Sequence, residues 1–240
     1  MGMAIAGKWL AAHFNQPGFE IFDYNVYALC GDGDMMEGVA SEAASLAGHL
    51  KLSNLCWIYD ENHVTLDGLA NVSFTEDVGK RFEAYGWNVE HVTDANDLQM
   101  LADAYNGFLK TKDRPTLIRV NSHIGYGSPH KQDTSAAHGE PLGEEEVRLV
   151  KKFYGWPEEA KFLVPEGVLD NFKNGIGKRG GICARSGRRC SRTTERNIPT
   201  WPTRSSACKS ASCPTDGTRT CQHFPPTRKA LPRARVQERS

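Results

Sequence analysis

Val26-Tyr27-Ala28-Leu29-Cys30-Gly31-Asp32-Gly33 is the stretch on which the fold turns. A short apolar run stops at two glycines that flank an aspartate, the pattern of a buried strand feeding a loop. Across residues 38–50 the apolar positions Val39, Ala43, Leu46, Ala47 and Leu50 recur at helical spacing. A second apolar run, 55–59, ends at Asp60-Glu61-Asn62. Residues 82–85 then read as helix, 87–92 as strand, 98–109 as helix and 116–120 as strand. This alternation predicts an α/β fold, a mostly parallel sheet with helices on both faces. Such sheets bind ligands in the crevice beyond the carboxyl ends of their strands. Gly31-Asp32-Gly33 and Asp60-Glu61-Asn62 both fall at ends of that kind.

Asp32 and Asn62 lie thirty residues apart, each just past a strand, with one helix between them. A right-handed βαβ unit makes those two loops neighbours. One carboxylate and one amide oxygen, completed by a backbone carbonyl and diphosphate oxygens, would form an all-oxygen site suited to magnesium. Gly31 and Gly33 let the backbone come close to a ligand, and the following helix offers its N-terminus to an anion. Other readings of the same residues stand beside this one. The strand–GDG–helix pattern can be a tight turn with no ligand. A dinucleotide fingerprint would need its third glycine where Met36 stands. Asp32, Asp34 and Glu37 have the wrong spacing for an EF-hand calcium loop. His49, His91 and His123 read as surface or satisfied core residues, and a zinc cluster of His123, His130 and His138 is a further alternative.

The formal net charge of the 240 residues is zero, but its distribution is uneven. Residues 182–240 carry thirteen Lys and Arg against Glu195, Asp216 and Glu238, which leaves about ten net negative charges on residues 1–181. Five of the seven cysteines fall in the same basic tail without a C-x-x-C pair, so neither a zinc site nor a disulfide framework is expected. Cys30 and Cys56 sit in apolar runs and read as buried thiols. No apolar run is long enough to cross a membrane, and residues 1–12 resemble the interior of a helix, not a cleavable signal. A cytoplasmic location is the expectation, with no membrane and no nucleic-acid partner. The polar stretch 125–141 reads as a long functional loop, 144–153 as a short helix, and 156–181 as the start of a linker.

At this point the residues resemble a family. Gly31-Asp32-Gly33, Glu37-Gly38, Glu42-Ala43 and Asn62 at the end of the next strand form the pattern of a thiamine diphosphate site. More specifically, Ser45-Leu46-Ala47-Gly48-His49-Leu50-Lys51-Leu52, Thr65-Leu66-Asp67-Gly68, Ile124-Gly125-Tyr126-Gly127-Ser128 and His138-Gly139-x-Pro141-Leu142-Gly143 resemble transketolase. The similarity runs from Met1 to about Gly181. It implies a diphosphate-side, magnesium-binding domain over residues 1–155, thiamine diphosphate as cofactor, and Mg2+ with Ca2+ able to substitute. Asp32, the Asn62 side-chain oxygen and the Val64 carbonyl would bind the metal, and Gly33 and Asn62 would contact the diphosphate. His138 would reach both diphosphate and sugar. Glu37 and Glu42 match acids at the dimer interface that link paired sites. The implied activity is transfer of a two-carbon ketol unit from a ketose phosphate to an aldose phosphate, in a homodimer of the pentose phosphate pathway. The alternatives are a dihydroxyacetone synthase, a deoxyxylulose phosphate synthase, or a non-catalytic fragment.

Two departures temper that implication. The family's N-terminal histidines and its aminopyrimidine-binding domain have no counterpart here, so weak cofactor binding and no turnover are expected of this chain alone. The tail from about Ile182 reads as an out-of-frame translation, because a shifted frame permits an amphipathic helix and a linker-like stretch. The rival is a basic arm that binds nucleic acid through phosphates. Under either reading the tail is expected to be disordered.

Overall fold

The structure, a computed structural model, describes residues 1–18 and 20–186. They belong to one compact unit that spans Met1–Ser191. Among the described residues there are four strands: β1 (Val26–Gly31), β2 (Leu55–Glu61), β3 (Asn88–Val92) and β4 (Thr116–Asn121). All pair in parallel, in the order β1-β2-β4-β3. The helices are α1 (Gly2–Phe14), α2 (Asp32–Met36), α3 (Gly38–His49), α4 (Val78–Ala84), α5 (Leu98–Lys110), α6 (Glu144–Phe153) and α7 (Val168–Phe172). The α/β architecture expected from the sequence is the one observed.

The period of two along β2 builds two cores. Leu55, Trp57 and Tyr59 face one cluster with Ala44 and Ala47 of α3 and Val78 and Phe82 of α4. Cys56 and its neighbour Ile58 face the other, with Ala104 and Phe108 of α5 and Ile118 and Val120 of β4. The sheet is thus covered on both faces, and its central strand is buried almost throughout. Trp57, Phe82 and Trp87 meet edge to face at centroid distances of 5.0–5.7 Å, with 5.2 Å between the two indoles. Each such pair adds about 0.5–1.5 kcal/mol beyond the area it buries. The Trp87 indole N–H donates to the Ala44 carbonyl at 2.8 Å, which satisfies its polar edge and ties β3 to α3.

Where these elements begin and end is set by local chemistry. The Asp97 carboxylate caps α5 by accepting from the amides of Gln99 and Met100, and Asp77 caps α4 through the amide of Lys80. Gly48 lets α3 touch the turn after α4, since a Cβ there would fall 1.9 Å from the Tyr85 carbonyl oxygen. The sequence reading missed α2. Gly31-Asp32-Gly33 is not a loop before a helix; Asp32 and Gly33 are themselves the first helical residues. The stretch expected to open a linker also carries regular structure, because α7 runs through a π-turn at Lys173–Gly177 into helical backbone that continues to residue 186. The expectation of disorder therefore meets helix at residues 182–186, and its remainder, with the frameshift and basic-arm readings, lies outside the described residues. No described helix is long and apolar enough to cross a membrane.

Candidate functional site

Asp32 is held where strand β1 ends, on the first turn of α2, and is 3% exposed. Its Oδ1 accepts the Tyr59 hydroxyl at 2.6 Å, and its Oδ2 accepts the backbone N–H groups of Asn62 at 3.2 Å and His63 at 2.8 Å. The crossover through α3 has brought the ends of β1 and β2 side by side, as the spacing of Asp32 and Asn62 implied. His63 adopts φ +61 there, a left-handed backbone that costs a non-glycine residue about 1–2 kcal/mol. That turn aims two successive amides at one carboxylate oxygen, an arrangement that favours an anion. Burial, with the Asp32 carboxylate that the hydroxyl faces, pushes the Tyr59 phenol well above its ordinary range, so it remains a donor.

Asn62 and Val64 complete the turn. The Asn62 Oδ1 accepts the Val64 N–H at 3.0 Å, and its amide nitrogen donates to Asp60 Oδ2 at 3.2 Å. Asp60 also accepts the Ser122 hydroxyl, which links the ends of β2 and β4. Val64 bridges Leu69 in antiparallel fashion, with hydrogen bonds from the amide of Ala70 to the His63 carbonyl and from that of Thr65 to the Gly68 carbonyl. Those bonds flank the pair, so the Val64 carbonyl points away from its bridge partner.

These residues fit an oxygen-bound cation. Asp32, Asn62 and Val64 offer a carboxylate, an amide oxygen with a second lone pair, and a main-chain carbonyl. A single carboxylate also leaves room for phosphate oxygens, the usual complement for magnesium. A Cβ built at Gly31 or Gly33 meets nothing within 4 Å, so open space lies beside this backbone. Two clefts open at the strand ends. One of 440 Å3 is lined by Asp32, Tyr59, Glu61, His63 and Phe74. The other, of 490 Å3, is lined by Glu61, His63, Ser122, His123 and Tyr126. Glu61 and His63 stand at both. Arg119 of β4 pairs with Glu61 through Nε at 3.1 Å and Nη2 at 2.9 Å, which fixes this partition between the clefts.

The other sequence candidates are placed differently. His138 ends a 3₁₀ turn, Ser135–Ala137; it is half-buried, and its Nδ1 is buried without a hydrogen-bond partner. Among the described residues no hydrogen bond joins it to Asp32 or Asn62. Glu37 and Glu42 are exposed at the start of α3, and Glu42 lines a shallow groove with Ser41, Leu46 and His49. The alternative histidine cluster is not assembled: His123 pairs with Asp133 at 3.0 Å and His130 with Glu146 at 2.9 Å. Asp32, Asp34 and Glu37 form no such group either: Asp32 is buried, Asp34 accepts from the Gly31 amide, and Glu37 is exposed. Among the described residues no three His, Cys, Asp or Glu side chains form a metal cluster.

The sequence reading missed Tyr59, His63 and Glu146. Tyr59 reads as one more apolar member of a strand, and the backbone amide of His63 leaves no mark in a sequence. Glu146 stands among three consecutive glutamates and reads as a complement to a helix dipole.

A family model described as transketolase, thiamine diphosphate binding domain, matches residues 1–191. A transketolase of Geobacillus stearothermophilus is 51% identical over 173 residues, which are 72% of this chain and 26% of that protein. Transketolase 1 of Saccharomyces cerevisiae is 47% identical over 181 residues, 75% of this chain and 26% of that protein. The solved structure of the Leishmania mexicana transketolase superimposes with a TM-score of 0.79 at 38% identity, over 82% of this chain and 29% of that one. The chain therefore spans about a quarter of the length of the curated relatives it matches. Sequence, fold and the arrangement of the strand ends agree, and the chain belongs to the transketolase family, through its thiamine diphosphate binding domain.

Proposed function

We propose that this chain supplies the diphosphate and magnesium half of a transketolase site. The observation that carries the reading is the meeting of the buried Asp32 with the Asn62–Val64 turn, whose amides at 62 and 63 both donate to its carboxylate at the ends of β1 and β2. Asp32, Asn62 and Val64 would hold Mg2+, or Ca2+ in its place, and Gly33 and Asn62 would contact the diphosphate. When bound, thiamine diphosphate supplies a nucleophilic carbon, the chemistry that moves a two-carbon ketol unit from a ketose phosphate to an aldose phosphate.

His138 is the residue of this chain for diphosphate and sugar phosphate; its buried, unpartnered Nδ1 supports that role. Glu37 and Glu42 would lie at the interface of a homodimer, and the exposed Val39 and Leu46 on the same helix support that placement. The cytoplasmic setting accords with the free thiols Cys30 and Cys56, which burial pushes up to about 12 and keeps unreactive. No observation favours another thiamine diphosphate enzyme. The place of the reaction among pentose phosphates rests on family membership.

Calorimetric titration with thiamine diphosphate tests the reading. The chain should bind weakly in the presence of Mg2+, and Asp32→Ala should abolish that binding at equal protein concentration. Turnover of sugar phosphates by the chain alone is expected to be absent. Binding that is equally strong without Mg2+ and in Asp32→Ala would refute the assignment of the metal site.

A further inference from the structure

The loop that carries His138 is gripped by a carboxylate outside the strand-end site. Glu146, in the first turn of α6, is buried among polar partners. Its Oε1 accepts the Ser128 hydroxyl at 2.5 Å and the His130 amide at 2.9 Å, and its Oε2 lies 2.9 Å from the His130 Nδ1. One side chain thus anchors two positions of the 124–141 loop. The loop is internally braced beyond those points. The Gln132 amide donates to the Ser128 carbonyl, the Asp133 amide to the Ile124 carbonyl, and the Gly127 amide to the Gln132 side chain. A Cβ at Gly125 would lie 3.1 Å from the Ala137 Cβ, so the start of the loop packs on the residue that precedes His138. The far end of α6 holds the same loop, with the Tyr154 hydroxyl donating to the Tyr126 carbonyl at 3.1 Å.

We propose that Glu146 is a positioning residue: by fastening Ser128 and His130 to the start of α6, it fixes the loop geometry that sets where His138 stands. The value of that placement rests on the reading of His138 as a contact for diphosphate and sugar phosphate. The anchor itself stands on the hydrogen bonds alone. A charge-assisted acceptor that serves three donors is stronger than three neutral contacts, and it selects one loop conformation over the many open to an eighteen-residue segment rich in glycine.

Carbethoxylation of the intact chain by diethyl pyrocarbonate, mapped by mass spectrometry at neutral pH, reads the state of each histidine. Glu146→Ala should speed modification of His138 by at least about five-fold through local opening of the loop. Glu146→Gln, which keeps one acceptor oxygen, should fall between that variant and the parent. Glu145→Ala removes a carboxylate that pairs with Arg148 at the surface and should leave the rate unchanged. His49, exposed on α3, is the internal reference for reagent dose, and an unchanged urea midpoint separates local opening of the loop from a general loosening of the fold. A His138 rate within about two-fold of the parent in a folded Glu146→Ala chain would overturn the proposal, since loop opening then does not depend on the anchor. Should circular dichroism show that variant unfolded, Ser128→Ala decides in the same way: a faster His138 sustains the anchor and an unchanged one overturns it. Thiamine diphosphate with Mg2+ should slow His138 in the parent. Failure of that protection would refute the reading of His138, while the rates of the variants still decide the role of Glu146.

Discussion

Both carboxylate oxygens of Asp32 are engaged within the chain, by a hydroxyl and two amides, before any ligand is considered. The residue is therefore a structural tie between β1 and the turn after β2 as well as a candidate metal ligand. The neighbourhood of Asp32 and Asn62 was legible, because the handedness of the crossover forces two such loops together. Tyr59 was not, since nothing in an apolar run announces which hydroxyl will meet a carboxylate. Glu146 was hidden for a different reason: one of three adjacent glutamates turns inward, and only the loop that folds over it decides which. That residue carries a pH prediction. The Ser128 hydroxyl first, and then the His130 amide, hold its carboxyl down to about 2 from the usual 4.5. A group whose folded value is depressed stabilises the fold above its unfolded value and loses that contribution as pH falls through the folded one. The stability difference between the parent and Glu146→Gln should shrink as the pH falls below about 4.5 and be lost as it falls through about 2. Urea unfolding at stepped pH measures it, and a difference that grows as the pH falls from 4.5 to about 2 would contradict the assigned bonds.

At the scale of elements, strands were the easier reading. β2 and β4 are rich in apolar residues, and their buried positions alternate between two clusters as period two requires. The helix α2 was harder, because a five-residue helix that opens on Asp-Gly-Asp carries no apolar period. Its start is held locally only by Asp34, which accepts the Gly31 amide, and from outside the local sequence by the Tyr59 hydroxyl and the 62–63 amides that hold Asp32. The contact of α3 with the turn after α4 depends on a missing side chain. Gly48→Ala would set a methyl 1.9 Å from the Tyr85 carbonyl oxygen and 3.3 Å from the Trp87 ring. A backbone oxygen cannot rotate aside, so α3 must shift and the Trp87–Ala44 hydrogen bond must stretch with it. Overpacking of this kind costs about 1–3 kcal/mol. The urea midpoint of Gly48→Ala should drop accordingly with the slope unchanged, and a midpoint equal to the parent's would mean that α3 does not sit against that turn.

At the scale of the whole unit, the two sheet faces are covered unequally. The face that holds Trp57 and Tyr59 is filled by side chains from α1, α3 and α4, whereas the opposite face is filled mainly from α5. That helix covers the β2–β4–β3 side and meets β1 at Tyr27, which stacks with Tyr105 and meets Phe108 edge-on. Leu29, two residues further along the same face, is 81% exposed on a strand at the edge of the described sheet. An apolar residue on a strand with a free hydrogen-bonding edge is a template for pairing with another chain. The chain taken alone should therefore self-associate as its concentration rises, without any ligand. Leu29→Lys leaves the cores untouched and places a charge on that edge, so it should raise the monomer fraction seen by light scattering after size exclusion. Because Leu29 has little burial to lose, the urea midpoint of that variant should stay within about 0.5 kcal/mol of the parent. An unchanged association profile in Leu29→Lys would place the sticky surface elsewhere, with the exposed Met3 and Trp9 of α1 as the next positions to substitute.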